Sequence, residues 1–234
     1  MPVAALLTRW SLIVILLVPA VPSAATAAQD PADSPPDVRQ PIGRFAADVR
    51  ASMPRFKQTR AIGDVIGVEH TDLPSRGLGL VLGGHVYPAR IGRVTLGLGG
   101  EVMASWGSRT EQTDDEMEMD GPTVKTRFSA FSPQISLNFG ARQGWSYISG
   151  GLGWSRFAVE LAQNGAGAPA ADVEADPRRK TINYGGGARW FATEHVAVSI
   201  DVRFYAVSPQ LATTTRPALP RMTVMVLSLG AGFK

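Results

Sequence analysis

The stretch Val196–Tyr205 reads VAVSIDVRFY and alternates residue by residue between apolar and polar side chains. One parity is wholly apolar and consists of Val196, Val198, Ile200, Val202 and Phe204. The other parity holds Ala197, Ser199, Asp201, Arg203 and Tyr205. Because successive side chains of a β-strand point to opposite faces, this stretch predicts a strand with one apolar and one polar face.

The same period of two recurs along most of the chain. It identifies eight segments, at residues 44–56, 77–88, 94–106, 126–140, 145–158, 181–191, 196–207 and 222–233. Short gaps at 89–93, 141–144 and 192–195 alternate with long gaps at 57–76, 107–125, 159–180 and 208–221. Strands joined alternately by short turns and long loops run up and down. The chain is therefore predicted to be all-β, an eight-stranded antiparallel up-and-down barrel.

The composition agrees with a single barrel domain and narrows the classes of function. The 234 residues include 25 glycines and no cysteine. This glycine content disfavours a helical bundle, and the lack of cysteine excludes disulfide scaffolds and thiolate metal sites. The formal net charge of +3 is too small for a typical nucleic-acid-binding domain. We expect no nucleic-acid partner, no metal and no cofactor.

The face that turns outward separates two kinds of barrel. A soluble barrel buries its apolar parity, whereas a transmembrane barrel turns that parity toward lipid. Here the polar parity is mostly Gly, Ser and Asn with a few charges, small enough to fill an eight-stranded lumen. Aromatic residues of the apolar parity fall near strand ends, as in membrane girdles: Trp106, Phe139, Trp154, Trp190, Phe204 and Phe233. The pattern favours a transmembrane β-barrel, with a soluble barrel as the alternative.

The N-terminal residues read as export signals. A basic residue precedes the apolar run LIVILLV at 12–18, and the tripeptide ATA at 25–27 has the form of a signal-peptidase site. Residues 1–27 are therefore predicted to be a signal peptide. Residues 28–43 contain four prolines and are predicted to be a Pro-rich periplasmic leader. The barrel would then occupy residues 44–234.

Three segments resemble strands of the small eight-stranded outer-membrane proteins of the OmpA/OmpX type: YISGGLGWSR (147–156), INYGGGARWF (182–191) and VAVSIDVRFY (196–205). The last alternation is similar to the C-terminal strand that the outer-membrane assembly machinery reads in that family: Met225, Leu227, Leu229, Ala231 and Phe233. The family usually ends on the aromatic residue, whereas Lys234 follows Phe233 here. The resemblance implies a monomeric barrel in the bacterial outer membrane, in contact with its lipids and lipopolysaccharide. It implies no particular activity.

Polar and charged residues of the inward parity form the first candidate site: Asp48, Arg50, His85, Glu101, Gln134, Arg189, Asp201 and Arg203. Charges enclosed in a narrow lumen are tolerated when they are paired or hydrated, so we expect a salt-bridge network that plugs the barrel. We predict that Arg189 and Arg203 pair with Glu101 and Asp201. The alternative is a narrow channel for small solutes, gated by the same charges.

Four cations where the long loops should emerge form the second candidate site: Arg156, Arg178, Arg179 and Lys180. Guanidinium groups bind phosphate in a bidentate geometry, so these side chains are expected to contact lipopolysaccharide, with ordinary surface charge as the alternative. The acidic loop 107–125 is expected to be solvated, with bridging by a divalent cation as its alternative. Loop 57–76 is apolar enough for either a short structured insertion or a contact patch.

The histidines give little support to catalysis. The chain has His70, His85 and His195, and none lies in a pattern typical of the lipid A acyltransferases and deacylases built on such barrels. Ser199 follows His195 by four strand residues, about 13 Å, which is too far for a hydrogen bond. We expect a non-enzymatic protein with a role in envelope integrity, adhesion or binding through its loops. A solute channel is the alternative, and a lipid A-modifying enzyme is less favoured.

Overall fold

The computed structural model describes residues 41–110, 123–162, 172–173, 178–211 and 218–234. The predicted signal peptide and residues 28–40 of the predicted leader lie outside these residues, and so do parts of three of the long loops.

Eight strands of the described chain form one antiparallel barrel, as predicted. The strands are β1 (Phe45–Arg55), β2 (Leu78–Ile91), β3 (Val94–Thr110), β4 (Thr123–Ala141), β5 (Gly144–Ala162), β6 (Asp172–Val173), β7 (Arg179–Phe191), β8 (Val196–Val207) and β9 (Met222–Phe233). Strand β6 is a two-residue addition beside β5, and the other eight form the barrel. Each of the eight predicted segments is confirmed, with ends that agree within four residues.

Pairing between β1 and β9 closes the barrel. Paired residues followed once around give Phe45, Val86, Leu98, Ile135, Gly150, Tyr184, Phe204, Met225 and finally Arg55. The path returns to β1 ten residues beyond its start, and this stagger tilts the strands against the barrel axis. Because ten is an even number, the inward and outward parities stay continuous around the whole barrel.

The two ends of the barrel differ. The turn end has the short connections at residues 92–93, 142–143 and 192–195. The loop end has the longer ones, including 56–77, which contains helix α1 (Arg60–Ile66) and a 3-10 turn (His70–Asp72). Loop 57–76 is therefore a structured insertion. Among the described residues, no helix has the length and hydropathy needed to cross a membrane.

An apolar belt surrounds the barrel between two rings of outward-facing aromatic side chains. The turn-end ring consists of Phe45, Phe139, Trp190 and Phe233. The loop-end ring consists of Trp106, Phe131, Trp154 and the stacked pair of Tyr184 and Phe204. On β3 the belt runs from Leu96 to Trp106, which spans about 25 Å at a tilt of about 40°. This height matches the lipid-facing band of membrane barrels, so the exterior is that of a transmembrane β-barrel.

Beyond the loop-end ring the outward positions become polar. Lys125 and Arg127 occupy them on β4, and Arg156 and Glu160 occupy them on β5. Arg127 and Glu160 form an exposed ion pair at 3.1 Å. The ends of β4 and β5 therefore project beyond the lipid belt into water.

The closed pairing predicts resistance to detergent. Every barrel strand is hydrogen-bonded to two neighbours, so unheated protein from the outer-membrane fraction should stay folded in SDS and migrate differently from boiled protein. Gel electrophoresis of paired unheated and boiled samples measures this shift. A single migration position for both samples would contradict a closed membrane barrel.

Candidate functional site

Side chains fill the barrel lumen in three layers. An apolar layer lies toward the loop end, a layer of charged residues lies in the middle, and an aromatic layer lies at the turn end. We call these the apolar layer, the ionic layer and the aromatic layer. Each is built from the inward parity of the strands, together with residues that fold over the two barrel ends.

The ionic layer contains equal numbers of cations and carboxylates: Arg50, Arg189 and Arg203 with Asp48, Glu101 and Asp201. None of these six residues is more than 3% exposed. Because unpaired charges are costly away from water, the balance of three positive and three negative groups allows the layer to exist in the lumen.

Arg50 lies at the centre of the ionic layer. Its Nε is 2.6 Å from Oδ1 of Asp48, its Nη2 is 3.0 Å from Oε2 of Glu101, and its Nη1 is 3.1 Å from Oδ1 of Asp201. One guanidinium therefore contacts all three carboxylates. A planar group with five N–H donors is suited to such a position, which a lysine could not fill in the same way.

Arg203 contacts Glu101 and Asp201, the two carboxylates predicted as its partners from the sequence. Its Nε is 3.0 Å from Oε1 of Glu101, and its Nη2 is 3.0 Å from Oδ2 of Asp201. The same guanidinium donates hydrogen bonds to Oε1 of Gln134 at 2.9 Å and to Oγ of Ser149 at 3.0 Å. Arg203 thus joins β8 to β3, β4 and β5 across the lumen.

The predicted partners of Arg189 are wrong. Its Nη2 lies 2.5 Å from Oδ2 of Asp48, and Glu101 and Asp201 bind the other two arginines. The register of β7 and β8 explains the difference, because it pairs Gly187 with Asp201. Arg189 lies two residues closer to the turn end, where Asp48 is the carboxylate within reach.

Two tyrosines complete the hydrogen bonding of the carboxylates. The hydroxyl of Tyr147 donates to Oδ2 of Asp201 at 2.8 Å, and the hydroxyl of Tyr205 donates to Oε1 of Glu101. The sequence interpretation gave neither tyrosine a role. The inward parity of Tyr205 was a usable signal, whereas the glycines around Tyr147 obscured the parity of its strand.

His85 lies beside the ionic layer without joining its ion pairs. Its side chain is buried, and its ring is nearly parallel to that of Tyr87 at 6.5 Å. Neither ring nitrogen has a hydrogen-bond partner among the described residues. The other two histidines are far from it, since His70 lies at the loop end and His195 in a short turn at the opposite end. The three cannot form one catalytic group.

The apolar layer departs from the simple rule of polar residues inside. The inward residues of β4 and β5 near the loop end are large and apolar: Val124, Phe128, Phe157, Val159 and Leu161. They pack with a lid formed by the connection between β1 and β2, which contributes Phe56, Ile62, Ile66 and Leu73. This part of the barrel stands outside the lipid, so its apolar side chains are buried inward as in a water-soluble protein.

The aromatic layer closes the turn end. It consists of Ile42, Ala46, Tyr87, Trp145 and Tyr147, with Phe191 packed against them. The Lys234 ammonium lies 3.6 Å from the centroid of the Phe191 ring and donates to the carbonyl oxygen of Arg142 at 2.5 Å. Lys234, which departs from the OmpA/OmpX pattern, therefore covers the turn end of the lumen.

Three of the four cations predicted at the loop end are exposed, and one is not. Arg156, Arg178 and Lys180 face the outside. Arg179 is buried, and its guanidinium donates to the carbonyl oxygens of Ser208 and, at 3.2 Å, Pro220. The prediction that Arg179 contacts lipopolysaccharide is wrong. Position 179 has the inward parity of β7, so its charge is used to bind the connection between β8 and β9.

A cleft of about 300 Å³ lies beside two of the exposed cations. Arg156 and Arg178 line it, together with the rings of Phe131 and Trp154, which stack at 6.2 Å. The cleft therefore combines positive charge with aromatic surface at the boundary of the lipid belt.

The described residues contain no group of three or more acidic, histidine or cysteine residues that could hold a metal ion. The acidic residues of loop 107–125, for which a divalent cation was the alternative, lie within the undescribed stretch 111–122.

No protein-family model matches this sequence, and no curated protein matches it either. Ail, the attachment invasion locus protein of Yersinia pestis, in complex with the heparin analogue sucrose octasulfate, shares 12% identity over 82% of this chain and 98% of its own, with a TM-score of 0.49. Neisserial surface protein A shares 10% identity over 81% and 96%, with a TM-score of 0.49. Outer membrane protein OprG of Pseudomonas aeruginosa shares 11% over 83% and 97%, with a TM-score of 0.41.

Such distant similarity says nothing about ligands or activity. The strand pairing and the lipid-facing belt of the chain itself decide the architecture. The protein is an eight-stranded transmembrane β-barrel, the fold that its resemblance to small OmpA/OmpX-type proteins implied.

Proposed function

We propose that this protein is a bacterial outer-membrane barrel that acts by binding at its loop end, in envelope integrity or adhesion. The filled lumen carries this proposal, because all three layers occupy the space that a transported solute would need. The remaining functional surface is then the lid, the projecting ends of β4 and β5, and the exposed cations. Outer-membrane barrels place short turns in the periplasm and long loops outside, which orients the loop end outward.

Lipopolysaccharide is the proposed partner at this end. Arg156, Arg178 and Lys180 lie just beyond the loop-end aromatic ring, at the depth where phosphate groups meet the lipid belt. The adjoining rings of Phe131 and Trp154 offer an apolar surface for acyl chains. Cations above aromatic groups match an amphiphile with anionic headgroups.

Replacing Arg156, Arg178 and Lys180 together by serine should lower the lipopolysaccharide that co-purifies with the protein by several-fold. The reason is the loss of three charge-assisted contacts to phosphate. Quantifying lipid A per mole of purified barrel measures the effect.

The matched control replaces Lys57, Arg60 and Arg76 by serine. These exposed cations lie in the β1–β2 connection, away from the lipid belt, and their loss changes the net charge equally. Equal lipopolysaccharide on both variants and the unaltered protein would overturn the proposed contact.

We propose that the outer-membrane assembly machinery recognises the last strand, β9, when the barrel is inserted into the membrane. The outward face of β9 ends at Phe233 in the turn-end ring, as the resemblance to the family implies for recognition by the outer-membrane assembly machinery. A monomer is proposed because one chain closes the barrel. A narrow solute channel stays the alternative function, supported by the charges of the ionic layer. Such a channel would require the ionic layer to rearrange, together with the apolar and aromatic layers that cover it.

A further inference from the structure

Trp154 separates two clefts on the outer surface of the barrel, at the loop-end boundary of the lipid belt. One is the cleft of about 300 Å³ beside Phe131, and the other, of about 450 Å³, lies on the β7 side of the indole ring. Among the described residues, Trp154 alone lines both clefts. Its side chain is exposed and faces away from the lumen. The indole ring therefore forms a shared wall between the two clefts.

The loop-end cations are divided between these clefts. Arg156 and Arg178 line the first cleft, whereas Lys180 lines the second. The register of β5 and β7 explains the division, because Lys180 is the cross-strand partner of Trp154 and Arg156 lies two residues further along β5. The Cα atoms of Arg156 and Lys180 are thus diagonal neighbours, about 7–8 Å apart. None of the described residues that line either cleft is acidic. Two centres of positive charge therefore lie on the two sides of one aromatic ring.

Apolar side chains line the part of each cleft that faces the belt. In the first cleft the ring of Phe131 stacks on that of Trp154 at 6.2 Å. In the second cleft Leu152 and Ile182 form a cross-strand pair below Trp154 and Lys180. Leu152 is 71% exposed and Ile182 is 54% exposed, so this cleft is open to lipid chains. Each cleft thus combines a cationic end with an apolar end.

We propose that this pair of clefts binds one amphiphile that carries two separated phosphate groups. One phosphate lies between Arg156 and Arg178, the other contacts Lys180, and acyl chains extend into the lipid belt on both sides of Trp154. Lipid A, the membrane anchor of lipopolysaccharide, has this composition. The two-phosphate site rests on the proposed lipopolysaccharide contact and adds selectivity to it, because a lipid with a single phosphate can neutralise the charge of one cleft only.

The test compares two forms of purified lipid A with the same acyl chains, one with two phosphate groups and one with a single phosphate. Each is titrated against the purified, folded barrel in detergent, and bound lipid is counted by native mass spectrometry. The unaltered protein should bind the bisphosphorylated form about fivefold more tightly, equivalent to about 1 kcal/mol. Lys180→Ser should remove most of this preference, because the two arginines still bind the single phosphate of the other form.

Arg93→Ser is the matched control, since it also removes one exposed cation, but at the turn end of the barrel. This variant should keep the preference of the unaltered protein. Trp154→Ala should weaken the binding of both forms by several-fold, because each cleft loses a wall, and unchanged binding would overturn the placement of the ligand around this ring. Heat-dependent migration in SDS verifies that each variant is folded.

Equal affinity of the unaltered protein for the two forms, with binding still dependent on the three loop-end cations, would overturn the two-phosphate site and leave the lipopolysaccharide contact standing. A preference that persists in Lys180→Ser would overturn it in the same way. Binding that is unchanged when all three cations are replaced by serine would overturn the lipopolysaccharide contact itself. Equally effective competition by the deacylated, bisphosphorylated sugar would overturn the assignment of the clefts to acyl chains.

Discussion

Replacing Arg50 by methionine is expected to lower the free energy of unfolding by about 3–5 kcal/mol, because it leaves buried carboxylates without their shared cation. Arg50 contacts Asp48, Glu101 and Asp201 at 2.6–3.1 Å and is 2% exposed. After the change, the layer would hold three carboxylates and two guanidinium groups. Urea titration of the barrel folded in lipid vesicles, followed by tryptophan fluorescence, measures the loss.

Arg127→Met is the matched control for this prediction. Arg127 also forms an ion pair, with Glu160 at 3.1 Å, but its side chain is 60% exposed at the projecting end of β4. Exposed ion pairs contribute about 0–1 kcal/mol, so the control should unfold almost as the unaltered protein does. Similar losses in the two variants would mean that the ionic layer is hydrated and open.

A second change within the layer tests its charge balance. Glu101→Gln added to Arg50→Met removes the excess negative charge, so the double variant should recover part of the lost stability. Groups in direct contact couple by about 0.5–3 kcal/mol in such cycles. Strict additivity of the two single effects would show that Arg50 and Glu101 act independently, contrary to their 3.0 Å contact.

Replacing Phe128 by alanine is expected to cost about 3–5 kcal/mol of unfolding free energy, since it leaves a cavity in the apolar layer. Phe128 is 1% exposed, and its ring packs edge to face with that of Tyr205 at 5.6 Å. The same layer holds the lid, so trypsin should also cut the β1–β2 connection faster at Arg60 and Arg76. Urea titration and the rate of cleavage measure the two effects.

Phe131→Ala is the control on the same strand. Phe131 faces the lipid belt, where it is 48% exposed and stacks on Trp154. Lipid chains can fill the space left by the ring, so the expected cost is about 1 kcal/mol from the lost stacking. Cleavage of the lid should stay unchanged. Faster cleavage in this variant would show that the lid responds to general loosening of the barrel.

The sequence was sufficient for the barrel itself. Alternation such as that of Val196–Tyr205 is a local property of a strand, and it identified all eight barrel strands. It also identified six of the nine aromatic residues in the two outer rings, because lipid requires one continuous apolar face. The lengths of the connections between strands also distinguished the turn end from the loop end.

Parity predicted which charged side chains face inward, but it could not predict which of them meet. Partners across the lumen depend on the register of every strand pair and on the ten-residue stagger of the closed barrel. The sequence alone led to a pairing of Arg189 with Glu101 and Asp201, because it does not contain this register. In the structure Arg189 pairs with Asp48. The central position of Arg50 became visible only with the strands in place.

The sequence by itself determined the eight barrel strands and favoured a transmembrane over a soluble barrel, because the period of two and the choice of lipid-facing residues are encoded strand by strand. Tertiary structure alone decided how the lumen is closed. Three features that close it join residues far apart in the chain: the packing of Ile62 and Ile66 in the lid, the burial of Arg179, and the position of Lys234 over Phe191. Such contacts depend on where the strands end relative to the membrane, which no local pattern specifies.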